Sequence, residues 1–314
     1  TRDLLFNVPL PAVVGNLASA PSVNVAKMRN EGIDLQIINR GNLTSDLKYE
    51  LTFNNSFLKN EIVAFAPGIT NLTGGSFRGI TPVRMEVGQS LSSFYGYQVI
   101  GYFNSAAEVS SSPAQDGKGL GRFRYADING DGKITTDDRT FLGSPVPTYT
   151  GGINIGLTYK DFEFATYLYA SAGNKIWNQS KWFTDFFGTF EGSGKGERAK
   201  QSWTPALGNS AAAPIWESNS NMSTSGAANS WYVEDGDYLR IQNISLGYNI
   251  PKAYTSKLGI KRAKFTLSAN NIFTLTKYKG LDPGVGGAAD TGFGIDVGNY
   301  PVTRSFNASI NLTF

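Results

Sequence analysis

The sequence predicts an all-β fold: a transmembrane antiparallel β-barrel with long extracellular loops. Three observations carry this. A two-residue hydrophobic period recurs in segments of membrane-crossing length, short and long connections alternate, and the last strand closes on an aromatic. In residues 304–314, Phe306, Ala308, Ile310, Leu312 and Phe314 fall on one side and Ser305, Asn307, Ser309, Asn311 and Thr313 on the other. Such a period gives a strand one apolar and one polar face. The edge strand of a soluble sheet alternates in the same way, but its water-facing side ordinarily carries Lys and Glu. Here that side is small and uncharged, which suits a wet, confined lumen.

Composition agrees. The 314 residues include 36 Gly, 15 Tyr and 20 Phe, but no Cys and no His. A disulfide framework, a zinc-thiolate site and an imidazole base are therefore excluded. With 28 basic and 25 acidic residues the net charge is +3, too balanced to argue for nucleic acid or an anionic membrane surface. The mean hydropathy is −0.22, and no apolar run reaches the roughly 18 residues of a membrane helix. A barrel is compatible with that value because only alternate residues face lipid. Thr1-Arg2-Asp3 is not a signal peptide, so an export signal is expected outside this chain.

Seven strands follow from the period. Residues 32–39 set Ile33, Leu35 and Ile37 against Asp34 and Gln36. Residues 47–57 set Leu47, Tyr49, Leu51, Phe53 and Phe57 against Lys48, Glu50, Thr52, Asn54 and Ser56. Residues 149–159 alternate Ile153, Ile155 and Leu157 with Asn154 and Thr158, and 162–172 follow the turn Lys160-Asp161. Residues 238–250 begin with Leu239 and Ile241, then slip phase at Asn243, so that Ile244, Leu246 and Tyr248 continue the apolar row. A slip of one residue is the signature of a β-bulge. Residues 263–273 and 302–314 complete the set, each near the roughly 9–11 residues a tilted membrane strand needs. The side chains expected to face lipid include Phe53, Ile155, Leu157, Phe265, Leu267, Ile310 and Leu312.

The connections decide topology. Residues 40–46, 160–161 and 251–262 are short links, whereas 58–147, 173–237 and 274–301 are long. Outer-membrane barrels have short periplasmic turns and long outer loops; soluble sandwiches rarely carry long loops without secondary structure. With the C-terminus in the periplasm, the strands alternate without conflict and the one at residue 32 starts outside. Seven is odd and single-chain bacterial barrels have even counts, so the chain is expected to be part of a larger barrel.

Residues 127–138, Asp-Ile-Asn-Gly-Asp-Gly-Lys-Ile-Thr-Thr-Asp-Asp, follow the twelve-residue calcium-loop pattern. Calcium takes several hard oxygen ligands. The spacing curls Asp127, Asn129 and Asp131 around one point, Gly132 allows the sharp turn, the Lys133 carbonyl adds a backbone oxygen and Asp138 closes the shell. Asp138 is shorter than the usual Glu, and Asp137 stands beside it as an alternative. The competing account is a Gly/Asp-rich turn held by side-chain-to-backbone hydrogen bonds. Because the Gly- and aromatic-rich residues 120–126 do not suggest an entering helix, a structural Ca²⁺, with Mg²⁺ the other option, bracing a long loop is expected rather than a switch.

Several motifs resemble, in order and spacing, those near the C-terminus of SusC/RagA-type TonB-dependent transporters. They are Ser93-Phe94-Tyr95-Gly96-Tyr97, Gly101-Tyr102-Phe103, the Asp-rich loop, Asp138-Arg139-Thr140-Phe141-Leu142-Gly143-Ser144-Pro145 and Gly151-Gly152-Ile153-Asn154. Next come Gly173-Asn174-Lys175-Ile176-Trp177-Asn178, Tyr238-Leu239-Arg240-Ile241-Gln242-Asn243, Asn270-Asn271-Ile272-Phe273, Tyr278-Lys279-Gly280-Leu281-Asp282-Pro283 and Tyr300-Pro301. The resemblance, from about residue 23 to 314, implies the C-terminal strands of a 22-stranded outer-membrane barrel whose plug and TonB box lie outside this chain. It further implies import of glycans or peptides received from a SusD-like surface lipoprotein, energised through TonB, in the outer membrane of a Gram-negative bacterium.

All five Trp (177, 182, 203, 216 and 231) lie in residues 173–237. Trp faces stack on sugars, which makes Trp182, Trp203 and Trp216 the candidate substrate contacts. The plainer account is that a long loop needs a small core of its own, with Trp177 and Trp231 in the interfacial aromatic girdle. The Ser/Gly/Asn-rich residues 218–230 are expected to be mobile. An enzyme would need a carboxylate pair, as in glycosidases, and Glu191, Glu197, Glu217, Glu234, Asp235 and Asp237 show no spacing that selects two. The remaining alternative is a soluble or surface-attached, calcium-stabilised β-rich adhesin, whose outward faces would carry Lys or Glu.

Overall fold

The computed structural model describes residues 4–7, 22–286 and 291–314. Its main element is an eight-stranded antiparallel sheet with the strands in sequence order. They are β1 Leu4–Asn7, β2 Ser22–Asn42, β3 Leu47–Phe65, β4 Tyr149–Tyr159, β5 Phe162–Ala172, β6 Tyr238–Asn249, β7 Arg262–Thr276 and β8 Ser305–Thr313. The count corrects the seven read from the sequence, and the odd-number argument falls with it. A strand of four residues, Leu-Leu-Phe-Asn, is too short to display a period.

β2 and β3 are 21 and 19 residues long, about twice what a bilayer crossing needs. The period-two reading stops at Gly32 and Phe57 because the strands then turn charged: Arg29, Glu31, Lys59 and Glu61 face water, and the hairpin rises beyond the apolar band. Its open end is buried again, at Val25, Ala26 and Ile62, because the long connections pack on it. In β6 the register slips between Ile241 and Asn243 toward β7 and between Tyr167 and Leu168 toward β5. Toward β5, Gln242 is thus the extra residue of a bulge, whereas toward β7 it stands alone opposite Asn271 and Ile272; Leu246 and Tyr248 stay in the apolar row.

The short links, 43–46, 160–161 and 250–261, lie at one end of the sheet, and 66–148, 173–237 and 277–304 at the other. The three long segments fold together into a cap with an aromatic core that includes Phe94, Phe123, Tyr125, Trp177, Phe186 and Tyr232. Three small sheets knit the cap. In one of them Lys175–Asn178 pairs with Val233–Asp235 and, in parallel, with Ile295–Asp296, so two long segments share a sheet. Gly96 marks where the first joins the second: a Cβ there would meet the Ala228 carbonyl oxygen at 2.4 Å, and the Tyr97 amide donates to that oxygen at 2.9 Å.

Candidate functional site

Register places the apolar positions of the sheet in continuous rows. Tyr49, Leu157, Phe164, Leu246, Leu267 and Ala308 are successive cross-strand partners over six strands. Phe265, Leu267, Ile310 and Leu312 are exposed, and Phe53, Ile155 and Leu157 are partly so. None of these seven side chains belongs to the buried core. The opposite face carries rows such as Glu50, Gly156, Ala165, Ser245, Ser268 and Asn307. On β8 that face is small and uncharged, but toward the short-link end it is not. There Arg40 pairs with Glu50 at 3.5 Å, and Lys264 pairs with Glu163. Below the charged upper halves of β2 and β3, a sheet that is apolar and charge-free on one face and polar on the other suits a boundary between hydrocarbon and water.

The Asp-rich segment forms a closed loop in the cap. Gly130 and Gly132 have φ of 74° and 81°. Asp127 accepts the amides of Gly130 and Gly132, each at 2.8 Å; Asn129 accepts that of Asp131 at 3.0 Å, and Asp131 that of Lys133 at 2.8 Å. Ile134 is buried and donates to the Ala114 carbonyl at 2.8 Å, and no described hydrogen bond uses the Lys133 carbonyl. Asp138 is fully buried and stitches the loop shut, with Oδ1 on the Ile128 amide at 2.8 Å and Oδ2 on the Thr135 amide at 2.7 Å. Burial opposes its charge, but the amides of Thr135, Ile128 and Asn129 outweigh it and hold its pKa below the ordinary carboxylate value. Among the described residues no three acidic side chains converge as a metal cluster.

The tryptophans divide. Trp203 is buried and donates from Nε1 to Asn104 Oδ1 at 2.9 Å, so it is a core residue and not a stacking surface. Trp182 packs against the core under the Arg78 guanidinium, 5.5 Å from its ring centroid. Trp216 is exposed beside Phe187. The girdle expected of Trp177 and Trp231 is corrected. Trp177 is fully buried against Phe94 and Tyr232, and Trp231 packs on Phe123 and Phe186. The expected mobility of residues 218–230 is also corrected, since Ser223, Thr224, Ser225 and Asn229 are buried. Ser223 Oγ donates to the Asp116 carbonyl at 2.5 Å and its own carbonyl accepts the Phe123 amide at 2.8 Å. Short polar side chains here satisfy backbone groups deep in the cap, a use that composition does not reveal.

Two buried ionic groups escaped sequence reading. Arg240 of β6 donates to Asp282 Oδ1 at 2.6 Å and to Thr274 Oγ1 at 2.9 Å. Asp282 also accepts the Gly284 and Val302 amides, which tie the segment before β8 to the sheet. Deeper in the cap, Lys181 pairs with Glu234 at 2.7 Å and Arg198 with Asp185 at 2.5 Å. Burial holds the Lys181 amine below its ordinary value despite that partner. Arg240 and Asp282 stand inside two of the quoted motifs, and Arg240, set between Leu239 and Ile241, is the one charge of its motif.

No family model matches the chain. By sequence it is 30% identical over 335 residues to TonB-dependent receptor P3 of Formosa agariphila, covering all of this chain and 31% of that protein. It is 27% identical over 334 residues to TonB-dependent receptor SusC of Bacteroides thetaiotaomicron, covering all of this chain and 29% of that one. By fold it resembles a solved structure of the RagAB peptide transporter, with a TM-score of 0.77 and 22% identity over all of this chain and 32% of the other. The chain thus spans less than a third of the length of the relatives it matches.

Proposed function

This chain belongs to the SusC/RagA-like TonB-dependent receptors, and on that premise we propose that it forms barrel wall and outer cap of an importer of glycans or peptides. The importer works in the outer membrane of a Gram-negative bacterium and is energised through TonB. The observation that carries the reading is the two-faced sheet with all described long connections at one end. The apolar rows lie in lipid, the polar rows line the lumen, and the cap stands outside, where it meets a SusD-like lipoprotein. β8 leaves one edge unpaired in this sheet, and so does β2 over residues 27–42, because β1 pairs only with its first residues. Unsatisfied backbone groups in hydrocarbon cost several kcal/mol each, so both edges pair with further strands of the same polypeptide. A soluble or surface-attached adhesin does not account for the exposed Phe265, Leu267, Ile310 and Leu312.

The test uses the full-length protein in its own bacterium. Recovery from the outer membrane only with detergent, together with oligosaccharide or peptide uptake that stops when TonB is deleted, supports the reading. Release by salt or chelator favours the adhesin.

We also propose that residues 127–138 take one hard cation, Ca²⁺ before Mg²⁺, through Asp127, Asn129, Asp131, the Lys133 carbonyl and Asp138. The positive-φ glycines and the Lys133 carbonyl favour it, while the hydrogen bonds of Asp138 already close the loop. Millimolar Ca²⁺ should raise the melting temperature of the cap, and Asp131→Ala should abolish that rise. A melt indifferent to Ca²⁺ and chelator leaves only the hydrogen-bonded turn.

A further inference from the structure

The balanced charge of the whole chain conceals a local imbalance at the short-link end of the sheet. Residues 250–264 carry five basic side chains and no acidic one. Two of the five are engaged: Arg262 and Lys264, on the polar face of β7, both pair with Glu163, Arg262 at 4.0 Å. Lys252, Lys257 and Lys261 are exposed and enter no ion pair among the described residues.

The link that bears these three lies on the apolar side of the sheet. Ala263 shares the face of Phe265 and Leu267, yet it is 2% exposed where they are 36% and 48%. The helical turn Lys252–Thr255 packs back on β7, and the Ile250 amide donates to the Ala263 carbonyl at 2.9 Å, so the link covers the foot of that face. Lys261 stands two residues before Ala263 and therefore on the same side. Its amide donates to the Thr313 carbonyl at 2.7 Å, which extends the ladder by one residue beyond Arg262.

Aromatic rings accompany the lysines. Tyr159, Phe162 and Tyr248 are successive partners on the apolar face beside the turn 160–161, and the rings of the last two are 4.8 Å apart. Tyr254, within the link itself, is 69% exposed. Such rings gather where hydrocarbon gives way to headgroups. The lysines thus stand just beyond the apolar band, at the depth of lipid phosphates.

We propose that the link 250–261 binds the headgroup phosphate of an anionic phospholipid in the inner leaflet of the outer membrane. Lys252, Lys257 and Lys261 supply the positive charge, and the acyl chains lie along the apolar face above Ala263. A zwitterionic headgroup brings its own cation, which offsets the attraction, so the site selects a lipid of net negative charge. The exposed Tyr254 and the apolar face beside it favour a lipid over an acidic protein, which would leave both uncovered. The inference rests on the reading of this chain as barrel wall and adds which lipid that wall prefers.

The test is native mass spectrometry of the full-length receptor released from micelles that hold equal amounts of phosphatidylglycerol and phosphatidylcholine. The first lipid retained should be phosphatidylglycerol, by about tenfold. The preference should fade as salt in the micelle solution approaches about 1 M, where charges are screened within roughly 3 Å. Replacing the three lysines together (Lys252→Gln, Lys257→Gln, Lys261→Gln) should bring the ratio toward one with the melting temperature unchanged, whereas Lys200→Gln in the cap should leave the ratio as it was. A ratio near one in the unaltered receptor, a ratio untouched by the triple replacement, or one lowered equally by Lys200→Gln overturns the proposal. Capture of polyglutamate through the three lysines, with no lipid preference, assigns the link to an acidic protein instead. A receptor that leaves the outer membrane only with detergent yet shows no preference loses the lipid site and keeps the barrel wall. One released by salt or chelator loses both.

Discussion

Leu267→Arg should strongly destabilise the barrel, whereas Ser268→Arg, one residue on, should not. Leu267 stands in the apolar row between Leu246 and Ala308, and Ser268 in the polar row between Ser245 and Asn307. Leu267 is five residues from Arg262 at the short-link end of β7. At about 3.4 Å per residue that is roughly 17 Å along the strand. A tilt of about 40° brings it to about 13 Å above that end, near the middle of an apolar band about 25 Å tall. An arginine there costs about 2–4 kcal/mol, and one in the lumen costs little. The assay is urea unfolding of the full-length receptor in lipid vesicles, followed by tryptophan fluorescence and heat-modifiable mobility. Equal costs at the two positions, or a negligible cost at 267, would refute the two-faced assignment, because nothing but the phase separates adjacent residues of one strand.

Asp282→Asn should leave the Arg240 guanidinium buried without its counter-charge; breaking a buried pair costs about 3–5 kcal/mol, read as faster proteolysis of residues 277–304. Asp138 should make the cap sensitive to acid. Its folded pKa lies below the ordinary value, so its stabilisation is present in full above the unfolded pKa of about 3.9. It is lost as pH falls through the still lower folded value. Near-ultraviolet circular dichroism of the native receptor across that range reads the loss, and Asp138→Asn should remove it, because the group that titrates is gone. Trp203→Ala should cost about 3–5 kcal/mol as a core truncation, while Trp216→Ala should leave the melt within about 0.5 kcal/mol.

The sheet was legible because its cause is local. Alternation needs only neighbouring residues, and Phe265, Leu267 and Ala269 against Lys264, Thr266 and Ser268 declare both faces within one strand. Even the bulge at Gln242 announces itself as a slipped phase. What failed to show was whatever lacked the period: the four residues of β1, and the charged upper halves of β2 and β3 that remain strand after leaving the lipid.

The cap is the opposite case. Its stabilising contacts join residues far apart in sequence, such as Gln115 Nε2 to Ser223 Oγ at 2.8 Å and the bidentate Arg122 on Glu217 at 2.6 and 2.7 Å. No window along the chain contains both partners, so a Ser-rich run that reads as a loose linker is in fact buried wall. The same holds for function. The family motifs were visible as words, but that Asn178 and Lys279 border one cleft emerges only when the cap folds. Where a site is built from such long-range neighbours, its chemistry is a property of the cap's packing. Substitutions that loosen the cap, such as Asp282→Asn, should therefore weaken ligand binding without touching a ligand contact.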